Sequence, residues 1–182
     1  AIDVRNAART ATERSSVYGL LAAAFRSEPD AKMLAHLCQP EIRAGLDDAG
    51  AALDLDGLDS PKDDVLEALG LEFTALFIGP GDHAAPYASV YLGGEGASLW
   101  GPQTVWVRQF IADAGFNFRA EYHGFPDHIS VEMEFMAEMT AREATALDNA
   151  DTSTAATCQR LQREFVGDHM AKWIPPFCDK VV

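Results

Sequence analysis

The chain has 182 residues, of which 48% are hydrophobic, a composition typical of one globular domain and unlike that of a disordered protein. Its 14 basic and 28 acidic residues give a net charge of −14, which argues against nucleic acid and anionic membranes as partners. The longest nearly apolar run, Val17 to Phe25, is about half a membrane span. Three cysteines without a CxxC pair indicate a reducing cytoplasm as the location: Cys38, Cys158 and Cys178.

The acidic residues are concentrated in two stretches. Ten of them lie between Glu28 and Asp64, and six lie between Glu121 and Glu143, where Arg142 is the one basic residue. Such stretches serve solubility in many proteins. A second interpretation is a surface that attracts a basic peptide by long-range steering.

Apolar residues recur with helical spacing along almost the whole chain. The first helical face contains Val17, Leu20, Leu21, Ala24 and Phe25. A later helix is predicted to start at Ser60-Pro61, because serine is a good N-cap and proline suits the first helical position. Its apolar face includes Leu66, Leu69, Phe73, Leu76 and Phe77, and the helix is expected to end before Gly79-Pro80.

The second half of the chain continues the helical pattern after a Gly/Pro-rich loop at about 79–101, in which Ser89 to Leu92 reads as extended. Further helices are predicted to open at Pro102 and near Pro126-Asp127. The last one carries Cys158, Leu161, Phe165, His169 and Trp173 and is expected to stop at Pro175-Pro176. The predicted fold is therefore all-α, an irregular single-domain bundle over residues 1–182 with one long ordered loop and a hinge near 115–124.

Catalytic motifs are absent from the sequence. There is no GxSxG, P-loop or GxGxxG, and Gly93 to Gly96 lacks the residues that a nucleotide loop needs. Five residues could in principle hold zinc or iron, although none of them shows HExxH or HxH spacing: Asp82, His83, His123, Asp127 and His128. A metal-dependent enzyme is kept as the alternative function. His169 lies on an apolar face and reads as a packed histidine.

Asp127 has a local explanation at the mouth of a helix, where it is expected to be partly exposed and to cap free N–H groups. That explanation does not cover His128 beside it.

Four segments together resemble the TorD/DmsD (NarJ-like) family of redox-enzyme maturation chaperones. Phe77-Ile78-Gly79-Pro80 followed by Ala85 to Leu92 is similar to the family's "GP…aPPW-SVYL" segment. Pro126-Asp127-His128-Ile129, continuing to Met136, is similar to its "EPxDHI…EL-FM" signature. The opening helix and the closing "F…H…W" helix are matched by Tyr18 to Phe25 and by Phe165, His169 and Trp173. The resemblance runs from about residue 14 to 180. Phe125 departs from it, because the family has a glutamate before the proline. Glu121, five residues before Pro126, is the candidate to replace that carboxylate.

This resemblance implies a cytoplasmic chaperone that is not an enzyme. Its client would be the immature catalytic subunit of a molybdopterin oxidoreductase of the dimethyl sulfoxide reductase class, bound through its twin-arginine signal peptide until the cofactor is inserted. The family also implies a monomer or a domain-swapped homodimer. No cofactor is expected apart from weak guanine nucleotide binding. A regulatory protein that senses a small ligand is a third hypothesis.

The candidate residues for binding the client come from the two signature segments and the loop beside them. They are Asp127, His128, Pro126, Glu121, Tyr87, Ser89, Tyr91 and Trp100. Met133, Met136 and Met139 form a flexible helix face that could repack around varied apolar segments, or they are ordinary core.

Overall fold

The structure, a computed structural model, describes residues 4–48, 50–51, 53–58, 62–79, 81, 83–94, 99–118 and 124–181. Within these ranges the regular elements are helices, and the sole β-type pairing is an isolated bridge. The helices are α1 (Val4–Arg26), α2 (Ala31–Leu37), α3 (Pro40–Asp48), α4 (Asp63–Phe77), α5 (Ala88–Leu92), α6 (Pro102–Asp113), α7 (Ile129–Asp148), α8 (Thr152–Phe165) and α9 (Ala171–Val181), with a π-helical turn at Val166–Met170. The all-α prediction is confirmed. No helix in the described part of the chain is both long and apolar enough to cross a membrane.

The predicted helix start at Ser60-Pro61 lies outside the described residues, and α4 begins at Asp63. The helix ends before Gly79, as expected. Helix α6 begins at Pro102, where the ring occupies a position whose N–H has no intrahelical partner. The expectation of an extended Ser89–Leu92 segment is wrong, because these residues belong to α5. Val17 is 56% exposed and lies off the buried face of α1, which is formed by alanines.

The expectation that Pro175-Pro176 ends the last helix is also wrong, since both prolines lie inside α9. Proline in a helix interior costs about 3 kcal/mol through a lost hydrogen bond and a clash. Trp173 and Phe177 on the same helix are almost fully buried, and each such side chain contributes about 1.5–3 kcal/mol or more. Tertiary packing therefore keeps the chain helical beyond the prolines.

The chain divides into two compact units, one formed by Ala1–Phe25 with Ala84–Val182 and the other by Arg26–His83. The single-domain organisation and the hinge near 115–124 stay predictions, and residues 119–123 of that segment lie outside the described ranges. In the smaller unit the Asp30 side chain caps α2 by accepting the Met33 N–H at 2.7 Å, and Phe73 and Phe77 pack edge to face.

Helix α7 is the centre of the larger unit, and most of its side chains are buried. Met133, Met136 and Met139 are all buried, which agrees with their interpretation as core. An aromatic cluster covers one side of α7: Phe135 lies 4.9 Å from Phe165 and 6.0 Å from Phe110 between ring centroids. Helix α7 is therefore held by core packing along its length, and its N-terminus lies at one end of this packed helix.

Helix α1 is tied to α7 by a polar network around Glu143. The Glu143 carboxylate accepts hydrogen bonds from Arg14 at 2.7 Å, Gln159 at 2.8 Å and Gln162 at 2.9 Å. Arg14 donates a further bond to the Gln162 side-chain oxygen at 3.0 Å. Burying a carboxylate costs free energy, and these hydrogen bonds offset part of that cost for Glu143.

Candidate functional site

The segment that precedes α5 contacts the segment that precedes α7. Tyr87, before α5, and His128, before α7, form the antiparallel bridge. The Ile129 N–H donates to the Pro86 carbonyl at 2.9 Å, and the Ala88 N–H donates to the Asp127 carbonyl at 3.0 Å. The two family-like signature segments are thereby held against each other.

Asp127 is fully buried, with 0% of its surface exposed, so the expectation that it is partly exposed is wrong. It does not cap the helix that follows it. Its Oδ2 accepts the Ser89 N–H at 2.9 Å, so this carboxylate supports the first turn of α5 from 38 residues away along the chain. The side chain is a tertiary cap that joins the two segments.

His128 takes the capping position of α7 instead. Its Nδ1 accepts the Ser130 N–H at 3.1 Å and lies 2.7 Å from the Ser130 hydroxyl. A nitrogen that accepts a backbone N–H carries no proton, so in the neutral ring the proton is on Nε2. The histidine is half-buried, and its ring faces the tyrosine across the bridge.

Four rings form a continuous series at this place, which we call the aromatic row: His128, Tyr87, Phe125 and Trp100. The centroids are 4.9 Å apart for His128 and Tyr87, 5.5 Å for Tyr87 and Phe125, and 5.2 Å for Phe125 and Trp100. Trp100 is 63% exposed, whereas the other three are half-buried. The row therefore runs from half-buried rings at its His128 end to the exposed ring of Trp100.

The pKa of Tyr87 is raised from its usual value, first by burial and then by the negative charge of Asp127. Tyr87 is therefore a neutral phenol at physiological pH, and the potential of the buried carboxylate reaches the row.

The candidate residues differ in exposure. His128, Tyr87 and Trp100 lie in the aromatic row and are half-buried or exposed, whereas Asp127, Pro126 and Ser89 are buried. Tyr91 packs against α9 instead, because its ring centroid lies 5.9 Å from that of Trp173 and 6.1 Å from that of Phe177. Glu121 lies outside the described residues. Phe125 is the row residue that sequence reasoning missed.

A buried polar triad fixes α9 and the π-helical turn to α7. Glu132 Oε1 lies 2.7 Å from His169 Nε2, and Glu132 Oε2 accepts the Trp173 indole N–H at 3.0 Å. This confirms that His169 is packed in the core. Burial raises the pKa of Glu132 to about 7, and the hydrogen bonds and charge of His169 and the Trp173 bond hold it below the value that burial alone gives.

The metal alternative gains no support from the described residues. Among them, no three His, Cys, Asp or Glu side chains are grouped closely enough to hold a metal ion. His128 Nδ1 and Asp127 Oδ2 are both engaged with backbone N–H groups. Asp82 and His123 lie outside the described ranges.

The two signature segments also lie within the part of the chain that matches a known protein family. The family model described as nitrate reductase delta subunit matches residues 36–179, which is most of the chain and includes both signature segments. The chain belongs to this family. The resemblance to the TorD/DmsD (NarJ-like) chaperones is thereby confirmed.

Curated relatives of this nitrate reductase delta subunit family member carry chaperone names. The chain is 27% identical over 188 residues to chaperone protein TorD of Shewanella piezotolerans, covering 92% of this chain and 79% of the relative. It is 25% identical over 180 residues to chaperone protein TorD of Vibrio cholerae, with the same coverage of each chain. A crystal structure described as a redox enzyme maturation protein from Archaeoglobus fulgidus shares 23% identity, with a TM-score of 0.49 over 82% of this chain and 91% of that one. The curated relatives are named chaperones, which supports the prediction that the protein is not an enzyme.

Proposed function

We propose that this family member is a cytoplasmic chaperone for the immature catalytic subunit of a molybdopterin oxidoreductase of the dimethyl sulfoxide reductase class. It would bind the twin-arginine leader of that subunit and hold the client until its cofactor is inserted. The observation that carries the proposal is the aromatic row, which joins Tyr87 and His128 of the two signature segments to Phe125 and the exposed Trp100. The TorD names of the relatives support the same function.

The arrangement of polar groups favours binding over catalysis. The Asp127 carboxylate is fully buried and its Oδ2 accepts the Ser89 N–H of α5, while His128 Nδ1 accepts the Ser130 N–H of α7. A general base or nucleophile must instead be within reach of a substrate atom. The side chains that stay partly exposed at this place are the rings of the aromatic row. Aromatic side chains are common in the binding surfaces of peptides and proteins.

The two acidic stretches differ in how many of their carboxylates are exposed and can attract a basic peptide. In the stretch from Glu28 to Asp64 every described carboxylate is exposed. In the stretch from Glu121 to Glu143 the expectation of an acidic surface is wrong in part, because Asp127, Glu132 and Glu143 are buried. Long-range attraction of a basic leader therefore depends on the first stretch and on the net charge of −14.

We expect a synthetic leader peptide to bind, with an affinity that falls about tenfold between low and high salt. Exposed charges are screened over ~8 Å at physiological ionic strength, so added salt weakens the attraction between the basic leader and the acidic protein. The leader is taken from a molybdoenzyme catalytic subunit of the native host, and calorimetry measures the dissociation constant.

A scrambled peptide of the same composition serves as the control for charge alone. Binding of the leader that is equal to binding of the scrambled peptide contradicts a specific site. Binding without salt dependence shows that the acidic surface does not contribute.

A further inference from the structure

We propose that α5 is a releasable segment, which leaves its place on the larger unit as one piece while α7 and α9 stay folded. This inference does not depend on the proposed function, because it concerns an equilibrium of the free protein. Release gives the protein a second conformation, in which the faces of Trp173 and Phe177 that pack against Tyr91 become accessible.

The first argument is the small size of α5 and the origin of the hydrogen bonds that hold it. The helix has five residues, whereas isolated helices shorter than about 12–15 residues are marginal in water. At its start, the Asp127 carbonyl accepts the Ala88 N–H at 3.0 Å and Asp127 Oδ2 accepts the Ser89 N–H at 2.9 Å. At its end, the Gln103 side chain donates to the Leu92 carbonyl at 3.2 Å. The position of α5 is therefore fixed by other parts of the chain and not by the helix itself.

The second argument is a group of buried polar atoms around α5 that lack hydrogen-bond partners. In the described part of the chain four buried side-chain oxygens have none, and all four belong to α5 or to the two residues whose side chains bond to it: Ser89 Oγ, Tyr91 OH, Gln103 Oε1 and Asp127 Oδ1. A buried oxygen without a partner raises the free energy of the closed arrangement, because water solvates the same oxygen once the segment is released. Four such atoms around one short helix therefore favour its release.

The third argument is the contrast with the polar groups that join α7 to its other neighbours. Both oxygens of Glu132 are engaged, with His169 at 2.7 Å and with the Trp173 N–H at 3.0 Å. Both oxygens of Glu143 are engaged as well, by side chains of α1 and α8. Because these buried polar contacts are satisfied and those around α5 are not, α5 is the element that opens first.

The test is native-state hydrogen exchange of individual amides, measured by NMR on the intact protein. We expect the amides of Ala88, Ser89 and Gly93 to be protected about 100-fold less than those of Met136 and Met139 in the middle of α7. Their exchange is also expected to depend far less on urea, since release of one short segment exposes little surface.

Two variants each remove one unpartnered oxygen: Tyr91→Phe and Ser89→Ala. Without that oxygen the closed arrangement gains stability, so each variant is expected to increase the protection of the α5 amides about tenfold, which corresponds to about 1.4 kcal/mol. Tyr18→Phe is the matched control, because it removes a tyrosine hydroxyl from α1 that is not among the unpartnered atoms, and it is expected to leave α5 unchanged.

Two results would overturn the inference. Amides of α5 that are as protected as those of α7, with the same dependence on urea, would show that α5 opens only when the whole unit unfolds. Protection that stays the same or falls in either Tyr91→Phe or Ser89→Ala would show that the removed oxygen has a partner in the folded protein. The wild-type measurement does not depend on the folding of any variant.

Discussion

Replacing Asp127 with alanine is expected to abolish maturation of the client enzyme and to lower the stability of the protein by about 2 kcal/mol. The variant leaves the Ser89 N–H buried without its acceptor, and an unsatisfied buried donor costs about 1–3 kcal/mol. It also loosens the contact between the segments that carry Tyr87 and His128. A protein with a normal free energy of unfolding of about 5–15 kcal/mol remains folded after such a loss. The measurements are thermal unfolding and client activity in a deletion host complemented with the variant.

Two further variants separate the effects. Asp127→Asn keeps an oxygen that can accept the Ser89 N–H, so it is expected to recover most of the lost stability. His128→Ala removes the α7 cap and one ring of the row, at a cost of about 1 kcal/mol. Full client activity in both alanine variants would show that the signature pair serves only to cap helices.

Replacing Glu132 with glutamine is expected to remove a pH dependence of about 3 kcal/mol from the stability of the protein. Burial raises the pKa of Glu132 from 4.5 to about 7 in the folded state. Each pKa unit corresponds to about 1.4 kcal/mol. Glutamine keeps an oxygen for the Trp173 N–H and an amide that can donate to His169. The measurement is the free energy of unfolding by urea between pH 4 and pH 8.

Because the pKa of Glu132 is higher in the folded protein than in the unfolded chain, this residue makes the protein less stable as the pH rises. Below pH 4.5 the carboxyl is protonated in both states, and its contribution to stability is fully present. As the pH rises to about 7, the unfolded chain loses the proton first, so this contribution is lost. The wild-type protein is therefore expected to lose stability relative to Glu132→Gln over this range, whereas Glu138→Gln, an exposed position on the same helix, keeps the wild-type slope. Parallel curves for wild type and Glu132→Gln would contradict the raised pKa.

Local signals in the sequence predicted much of the helical framework. The proline at 102 and the apolar spacing of α4 act through neighbouring residues, so their effect can be read from a short window. Helix α5 could not be found in this way, because the group that supports its first turn is Asp127, far along the chain. The same holds for α9, where burial of Trp173 and Phe177 overrides two prolines.

The sequence identified some of the residues that the structure brings together, and their role in binding stays a prediction. The family-like segments identified Tyr87 and His128, and the loop composition identified Trp100, all of which lie in the aromatic row. The sequence does not show which polar residues are buried, so Asp127 was expected at the surface. Phe125 was considered only as a departure from the family's glutamate. An aromatic residue at that position, close to other aromatic residues of the signature segments, is the signal that could have found it.

The most direct test of the chaperone function is purification of the tagged protein from its native host, followed by identification of what accompanies it. The account predicts that the catalytic subunit of a molybdopterin oxidoreductase is recovered with its leader intact and without its cofactor. Elemental analysis of the same sample is included, because stoichiometric zinc or iron bound to the protein alone would favour the metal-enzyme alternative. Recovery without any oxidoreductase subunit, from cells that are expressing the client, would contradict the account.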